Sequence, residues 1–343
     1  METQAKEDFR ASVIVPTYNR RPILERTIAA LATQSLPSSE YEIVVVDDGS
    51  VDDTAEFLLR AKTRLPNLEV VAGHGNEGRV AARNRGIGKA SGAILIFLDD
   101  DNVPCERFVE AHVRCHRDAG AEAIAVMGNP SFATEAMAGS NFAQYMNSLY
   151  VGNWGKTGAR VQSGTRLPGK NFGTLNASAR KSDVVRCGGF DPALRFYGGE
   201  DVVLGYRLTA AGVAIRFCRD AVTTHVDDVS LERYKMKMRE AGREGLPVVM
   251  EKYPALVEET QVRWLLPARW GAEPVHVALG KCLLRVGLNS MALRSLEWWA
   301  RATDKRERLA SRWVFRALLA GWTLEGRCAT ERGFGQVRYG HGK

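Results

Sequence analysis

The sequence predicts an α/β domain built on a mostly parallel sheet that carries helices on both faces, and three observations lead to this fold class. Short apolar runs rich in β-branched residues alternate with segments of helical periodicity from residue 11 onward. The runs hold few polar residues, as expected of strands buried on both sides. Polar, turn-forming residues follow each run, at the sheet edge where such folds bind ligands. Residues 11–101 are therefore predicted to be doubly wound.

Four strands and three helices are predicted in order along this segment. The strands are SVIVP (12–16), EIVVVDD (42–48), LEVVAG (68–73) and AILIFLD (93–99), and the helices are PILERTIAALATQ (22–34), DTAEFLLRAKTRL (53–65) and GRVAARNRGIGKA (78–90). A fourth helix is predicted at about 104–119. Residues 151–173 are rich in Gly, Ser and Thr, which predicts a long mobile loop and a candidate substrate flap.

Composition bounds the organisation of the chain. Its 343 residues are 45% hydrophobic and 25% charged, enough for a large α/β domain with an appendage. The six cysteines lack metal-ligand spacing, which favours a reducing compartment, and neither a secretory signal nor a run of 18 apolar residues occurs. We therefore expect a cytoplasmic protein with flexible tails at 1–10 and 326–343, a domain over 11–229 and a helical region over 230–325.

The positive charge is concentrated in the C-terminal part of the chain. Residues 230–343 hold 21 Lys and Arg against 12 Asp and Glu, within a total net charge of +7. Tryptophans and arginines share the predicted helices of this part, which is typical of a helix that lies in a membrane interface at the inner face of the membrane. Such a pattern is more often packed against the chain's own domain or a second subunit, and a solvated helical surface explains the charge equally well. Nucleic acid is not an expected partner, because no nucleic-acid-reading motif accompanies the charge.

Three consecutive carboxylates, Asp99, Asp100 and Asp101, end the predicted buried strand AILIFLD. Such neighbours raise each other's pKa, so their charge needs compensation. A hard divalent cation, Mg²⁺ or Mn²⁺, would provide it while sharing its coordination with substrate phosphates. Asp99 and Asp101 are expected to face the same side while Asp100 turns elsewhere, because Asp99 and Asp101 are two residues apart. A solvated acidic turn is the alternative.

A second acidic pair, Glu200 and Asp201, follows Gly198 and Gly199. The apolar spacing that follows predicts a helix whose first turn holds both carboxylates, where the helix dipole favours negative charge. A simple helix cap is one interpretation. The two glycines favour a binding site instead, because they let another molecule approach the backbone closely.

Taken together, these motifs resemble the family 2 glycosyltransferases of the GT-A fold. The resemblance covers about residues 11–226 and rests on VIVPTYNR, IVVVDDGSVDDT, NEGRVAARNRGI, ILIFLDDDN, GTLNASARKSDVVRCGGFD and FYGGEDVVLGYRL, which occur in this order. It implies a nucleotide-binding half over 11–101 and an acceptor half over 102–229.

The resemblance also implies roles for individual residues. A base and ribose pocket would be lined by Pro16, Thr17, Tyr18 and Asn19. Asp48 would accept a hydrogen bond from the nucleobase imide, and Arg83 would lie near the diphosphate or the base.

The acidic motifs receive the remaining roles by the same resemblance. Asp101 would bind Mg²⁺ or Mn²⁺ together with Asp99, while Asp99 and Asp100 would also hold ribose or water ligands. His225 matches a histidine that some relatives use as an extra metal ligand. Asp201 would be the general base that deprotonates the acceptor, and Glu200 would orient the acceptor or the base.

The implied reaction is the transfer of one sugar from a nucleoside diphosphate sugar, with a UDP-sugar favoured, in a single inverting displacement. The acceptor would be a glycan, a lipid-linked molecule or a small molecule, and an oligomer is possible. Residues 261–264, QVRW, are one spacer short of the motif of processive synthases, which favours transfer of a single sugar.

Three alternatives belong to other classes of protein. A dinucleotide-dependent oxidoreductase would need a G-x-G-x-x-G turn after the first strand, where this chain has PTYNRR. A sugar-nucleotide nucleotidyltransferase would need a Gly-rich basic loop at the same place. A non-catalytic module that binds a partner through its basic helices is the third.

Overall fold

The computed structural model describes residues 10–153, 161–306 and 311–331. The strands of this part of the chain are β1 (Ala11–Thr17), β2 (Tyr41–Asp47), β3 (Leu68–Ala72), β4 (Ile94–Leu98), β5 (Asn102–Pro104), β6 (Ile124–Phe132), β7 (Arg166–Leu167), β8 (Asn176–Arg180) and β9 (Ala214–His225). The first half of the helices is α1 (Arg21–Ala32), α2 (Thr54–Lys62), α3 (Arg79–Lys89), α4 (Phe108–Asp118), α5 (Thr134–Ala138), α6 (Asn141–Asn147) and α7 (Lys181–Arg186).

The second half of the helices begins at residue 200 and includes the C-terminal part. These helices are α8 (Glu200–Ala210), α9 (Leu231–Glu240), α10 (Leu246–Lys252), α11 (Pro254–Glu258), α12 (Val275–Gly287), α13 (Ser290–Thr303) and α14 (Arg312–Glu331), with a π-helical turn at Ala241–Gly245 between α9 and α10. Each of the seven elements predicted over 11–101 is present, which confirms the α/β fold class.

The described strands form one mixed sheet. Its order is β3-β2-β1-β4-β8-β6-β9-β5, and β7 pairs with β9. Strand β1 is parallel to β2 and β4, and β2 is parallel to β3, so the N-terminal half is doubly wound as predicted. Strand β8 runs antiparallel between β4 and β6 and begins the second half of the sheet.

Both faces of the sheet are buried, which accounts for the continuous apolar runs of the first strands. In β1, Val13 and Val15 pack in one cluster with Leu24 of α1. Ile14, between them, packs in the opposite cluster with Val80 of α3. Because successive side chains of a strand point to opposite faces, every position of such a strand must be apolar.

A third cluster joins the C-terminal helices to the sheet domain. Phe132 at the end of β6 and Phe142 of α6 pack with Phe315 and Trp322 of α14. Trp322 also donates a hydrogen bond from its indole nitrogen to Glu297 of α13, at 2.7 Å. The predicted boundary at residue 325 falls inside α14, because that helix continues to Glu331.

The tryptophans of the predicted C-terminal helices differ in their exposure to solvent. Trp322 is 1% exposed and belongs to the core, whereas Trp298 and Trp313 are 71% and 76% exposed. Within the described residues, none of the helices combines the length and the apolar character needed to cross a bilayer.

The prediction of a mobile loop over 151–173 is wrong for residues 161–173. That part contains β7, which pairs with β9, and a 3-10 turn at Gly169–Asn171 that packs on α8. Leu167 and Phe172 are buried in the core, so apolar burial holds the segment in place. Residues 154–160 of the candidate flap lie outside the described residues.

The close contact between α8 and the 3-10 turn gives a test of this packing. A Cβ on Gly205 would lie 2.1 Å from the backbone oxygen of Gly169, whereas a Cβ on Gly88 of α3 would have nothing within 4 Å. We expect Gly205→Ala to lower the free energy of unfolding by about 1–3 kcal/mol, because α8 must move away from the turn. The control Gly88→Ala should raise it by about 0.5–1 kcal/mol, because alanine favours the helix. Urea unfolding measures both, and equal effects would contradict the packing.

Candidate active site

The candidate active site is a cavity of about 620 Å³ at the carboxyl ends of the parallel strands. The last residue of β1, Thr17, lies on its wall, and the loops after β2 and β4 contribute Asp48 and Asp99. The first turns of α3 and α8 contribute Arg79 and Asp201. Parallel strands end at one edge of a sheet, so residues far apart in sequence meet there.

The two predicted acidic groups share this cavity. Asp99, Asp100 and Asp101 lie on its wall together with Glu200 and Asp201. Arg83 of α3 lies between the groups: it donates to Asp99 at 2.7 Å, and its guanidinium is 3.6 Å from Asp201 and 3.7 Å from Glu200. The side chain of Arg83 is 3% exposed, so these pairs are screened little by water.

Asp100 and Asp101 are compensated by a second arginine, Arg20, which follows β1. Its guanidinium lies 3.5 Å from Asp100 and 3.2 Å from Asp101, and it also pairs with Asp227. Thr17 donates a hydrogen bond to Asp100 at 2.8 Å. Burial raises the pKa of Asp100 to about 7, although Arg20 and Thr17 oppose that shift.

These contacts correct part of the electrostatic argument made from the sequence. Arg20 and Arg83 supply part of the positive charge that the sequence argument assigned to a divalent cation alone. The expected orientation is also different, since Asp100 shares Arg20 with Asp101 instead of turning away from the cavity. Asp99 pairs with Arg83, which holds the pKa of Asp99 below its usual range despite burial.

The Glu200–Asp201 pair occupies the first turn of α8, as predicted. Gly199 is the N-cap with φ of 101°, and Gly198 has φ of 108°, backbone conformations that favour glycine. Both glycines line the cavity. The acidic pair is therefore more than a cap, because the tight turn presents it to the cavity beside Arg83.

Asp201 is held in one orientation by Thr174. The Thr174 hydroxyl donates to Asp201 at 2.7 Å, and the Thr174 backbone N–H donates at 3.2 Å. Burial raises the pKa of Asp201 to about 6, Arg83 and Thr174 lower it, and Glu200 raises it. A carboxylate whose pKa lies near neutral pH is suited to accept a proton.

The residues predicted for a nucleobase pocket lie mainly in the same cavity. Pro16, Thr17, Tyr18 and Asp48 line it. Asp48 accepts a hydrogen bond from the Gly78 backbone N–H at 2.7 Å through one oxygen, while its other carboxylate oxygen is buried with no hydrogen-bond partner in the described part of the chain. That oxygen lies 3.8 Å from Nη1 of Arg85, which is too far for a hydrogen bond, so it can still accept one from a ligand N–H group.

Asn19 has a different role from the one predicted. It lies outside the cavity wall, with φ of 52°. Its backbone N–H donates to Ser50 at 2.8 Å, and its side-chain oxygen accepts from the Val51 N–H at 2.7 Å. Asn19 therefore joins the loops after β1 and β2, and it is not among the residues that line the cavity.

His225, at the end of β9, lies beside Asp101 on the cavity wall. The distance from its Nε2 to the Asp101 carboxylate is 3.5 Å, and its Nδ1 is buried with no hydrogen-bond partner in the residues described. Burial lowers the pKa of His225, which favours the neutral imidazole that ligates metals. Across residues 10–153, 161–306 and 311–331, no cluster of three or more His, Cys, Asp or Glu side chains forms a ready metal site.

Several residues of the cavity were missed by sequence reasoning. Arg20 lies within the quoted motif VIVPTYNR, so its proximity to the carboxylates carried a local signal. Helix α9 gave no such signal, because it lies beyond residue 229, the predicted end of the domain. Its contribution to the wall is Arg233, Tyr234, Lys237 and Met238.

Comparison with known proteins identifies the class to which this fold and site belong. The family described as Glycosyl transferase family 2 matches residues 12–150. Glycosyltransferase AglE of Haloferax volcanii is 32% identical over 62% of this chain and 66% of its own length. Validoxylamine A glucosyltransferase of Streptomyces hygroscopicus subsp. jinggangensis is 32% identical over 61% of this chain and 54% of its own length. The chain belongs to glycosyl transferase family 2, and it spans about half to two thirds of these curated relatives.

Solved structures of low sequence identity share the fold. Mannosyltransferase PcManGT from Pyrobaculum calidifontis, in complex with GDP-Man and Mn²⁺, matches 94% of this chain and 87% of its own at 18% identity, with a TM-score of 0.60. S. aureus TarS in complex with UDP matches 94% of this chain and 92% of its own at 17% identity, with a TM-score of 0.52. These likenesses confirm the predicted GT-A fold.

The hydrogen bond from Thr174 makes a prediction about the pKa of Asp201. Thr174 stabilises the ionised carboxylate, so Thr174→Val should raise the pKa of Asp201 from about 6 by about one unit. A ¹³C NMR titration of the carboxyl group measures this pKa, with Asp201→Asn used to assign the signal. The control is Thr209→Val, on the same helix as Asp201. It removes a hydroxyl that donates only to backbone oxygens. A pKa that is equal in all three proteins would contradict the assigned contact.

Proposed function

We propose that this protein is an inverting glycosyltransferase that moves one sugar from a nucleoside diphosphate sugar to an acceptor hydroxyl, with Asp201 as the general base. One observation carries the proposal: the Asp99–Asp101 carboxylates and the Glu200–Asp201 pair line one cavity and are joined by Arg83. The first group is suited to the donor's phosphates and a cation, and the second to the acceptor alcohol. Family membership supports sugar transfer as the reaction.

The donor is proposed to bind through its nucleotide at the ends of β1 and β2. The Asp48 oxygen without a hydrogen-bond partner would accept one from a nucleobase ring N–H, which is the imide N–H in uracil and the N1–H in guanine. TarS was solved with UDP and PcManGT with GDP-Man. We favour a UDP-sugar as the donor.

We propose that the cavity also binds a divalent cation, Mg²⁺ or Mn²⁺, which would take only part of its coordination from the described residues. Asp101 and His225 would hold it with Asp99 nearby, and donor phosphates and water would complete its coordination. PcManGT was solved with Mn²⁺. When bound, such an ion supplies a counter-charge for the departing diphosphate.

The chain's own residues would perform the remaining chemistry. Asp201 accepts the proton of the acceptor hydroxyl while that oxygen attacks the anomeric carbon, and Thr174 fixes the direction of the carboxylate. Arg83 keeps Asp201 largely ionised at neutral pH, because its charge opposes the effect of burial on the carboxyl pKa. A single displacement inverts the anomeric configuration.

Asp201→Asn tests the base assignment. We expect kcat to fall at least about 100-fold, because the amide cannot accept the proton, while the Kd of the donor stays within about threefold. The exposed Asp220, which pairs with Arg114, gives the matched control Asp220→Asn, which should keep the wild-type rate. A near-normal rate in Asp201→Asn would show that another group is the base.

A screen of nucleotide sugars with Mn²⁺, read by thermal shift and by turnover, tests the reaction class. We expect one donor to raise the apparent Tm and to be consumed, because a ligand that binds only the folded state stabilises it. If no donor is turned over and no nucleotide binds in the presence of Mn²⁺, the alternative of a non-catalytic binding module replaces the enzyme proposal.

Arg20 and the proposed cation act on the same carboxylates, which gives a further prediction. Arg20→Met should lower the free energy of unfolding by about 2 kcal/mol or more, because Asp100, Asp101 and Asp227 lose a shared partner. Mn²⁺ should then raise the Tm of this variant more than that of the wild type. Arg21→Met is the control, because Arg21 pairs only with the exposed Glu25 and Asp53 in the part of the chain described here. Equal Mn²⁺ shifts in all three proteins would place the cation elsewhere.

A further inference from the structure

Two of the cations that line the cavity lack a close carboxylate partner. Arg20, Arg83 and Arg233 are each tied to at least one aspartate. Arg79 comes no nearer than 3.7 Å to a carboxylate, that of Glu200. Lys237 makes no ion pair within 4.0 Å among the residues that the structure describes, and its ammonium nitrogen contacts aromatic rings instead.

Arg79 and Lys237 come together at one tyrosine. The guanidinium carbon of Arg79 lies 5.0 Å from the centre of the Tyr197 ring, and the nitrogen of Lys237 lies 5.5 Å from the same centre. Lys237 is also 5.1 Å from the ring of Tyr234. The aromatic rings offer weak attraction to these cations, but they supply no negative charge.

The environment of Lys237 is unfavourable for a cation without an anion. Burial lowers its pKa to about 8, and the positive charges of Arg233 and Arg79 act in the same direction. Asp101 and Asp227 oppose this effect only in part. An anion that entered the cavity would supply the missing counter-charge and would gain hydrogen bonds to charged donors.

The backbone around Arg79 adds to this preference for an anion. Arg79 is the first residue of α3, an eleven-residue helix, and both it and the preceding Gly78 line the cavity. The free N–H groups at the start of a helix favour negative charge. The helix end and the two side chains therefore act on the same part of the cavity.

We propose that Arg79 and Lys237 form a phosphate-binding site at the junction of the sheet domain and the C-terminal helices. The proposal rests on the proposed function, because it assigns a phosphate of one of that reaction's two substrates to these residues. The phosphate belongs either to the donor's diphosphate or to a phosphorylated acceptor. Lys237 lies on α9, beyond the residues 12–150 that the family matches, so this site extends the nucleotide-binding half with a residue from another part of the chain.

Lys237→Met tests the site, because methionine keeps the length of the side chain and removes its charge. Calorimetry in Mn²⁺ measures the binding of UDP, of uridine, and of inorganic phosphate to protein saturated with UDP. Loss of one charge-assisted contact should lower the affinity for the affected ligand about 10- to 100-fold. Arg79→Met should act on the same ligand, and Lys237→Arg should restore part of the affinity. Lys62→Met, which removes an exposed lysine that pairs with Glu69, is the matched control and should change nothing.

The two sources of the phosphate give different results. Weaker UDP binding with unchanged uridine binding would assign the donor diphosphate. If Lys237→Met binds UDP as the wild type does but no longer binds inorganic phosphate in the presence of UDP, the site holds the phosphate of a phosphorylated acceptor. If Lys237→Met binds UDP and phosphate as the wild type does, or loses UDP and uridine equally, the phosphate site is wrong. If the wild type binds neither UDP nor GDP, the proposed function fails by itself, and inorganic phosphate binding to the wild type and to Lys237→Met then decides the site.

Discussion

The site depends on the pairing of buried carboxylates with two arginines that come from different helices and loops. Arg83 joins the acids after β4 to the acids that begin α8, and Arg20 joins the acids after β4 to Asp227. Without these arginines, the negative groups on the cavity wall would repel one another in an environment that water screens poorly. The arginines therefore hold together the segments of the two halves of the sheet domain that carry these acids. Arg83 also favours the ionised forms of Asp99 and Asp201, which are the forms needed for metal binding and for proton acceptance.

In this arrangement, some acids of the cavity are suited to stabilise the structure and others are suited to the chemistry. Asp100, which accepts from Thr17 and pairs with Arg20, is largely a structural member of the cluster. Asp201 has its carboxylate directed by Thr174 and its pKa near 6, so it combines a fixed position with a useful basicity. In the described part of the chain, Asp48 keeps one buried oxygen without a hydrogen-bond partner, although Arg85 lies 3.8 Å away. Such a group is costly in the empty protein and is expected where a ligand supplies the partner.

The C-terminal helices are part of the site as well as of the core. Helix α14 packs against α9, and α9 lines the cavity with Arg233, Tyr234 and Lys237. Trp322 is buried in the cluster that fixes this packing. The cavity wall is thus completed by a region whose basic sequence first suggested a surface function. Trp298 and Trp313 are exposed and take no part in that packing.

The sequence by itself determined the N-terminal half of the fold and most of the acids at the site. Strands β1 to β4 and helices α1 to α3 were predictable because their periodicity is local, and the ends of parallel strands must share one edge of the sheet. Asp48, Asp99 and Asp201 were found for the same reason, aided by the resemblance of their motifs to a known family. Tertiary structure alone decided which charges compensate which: Arg20 with Asp227, Arg83 between two acidic groups, and Lys237 beside Arg79. Those pairs join residues tens to hundreds of positions apart, and no local pattern of spacing specifies which side chains meet when separate helices and loops converge on one cavity.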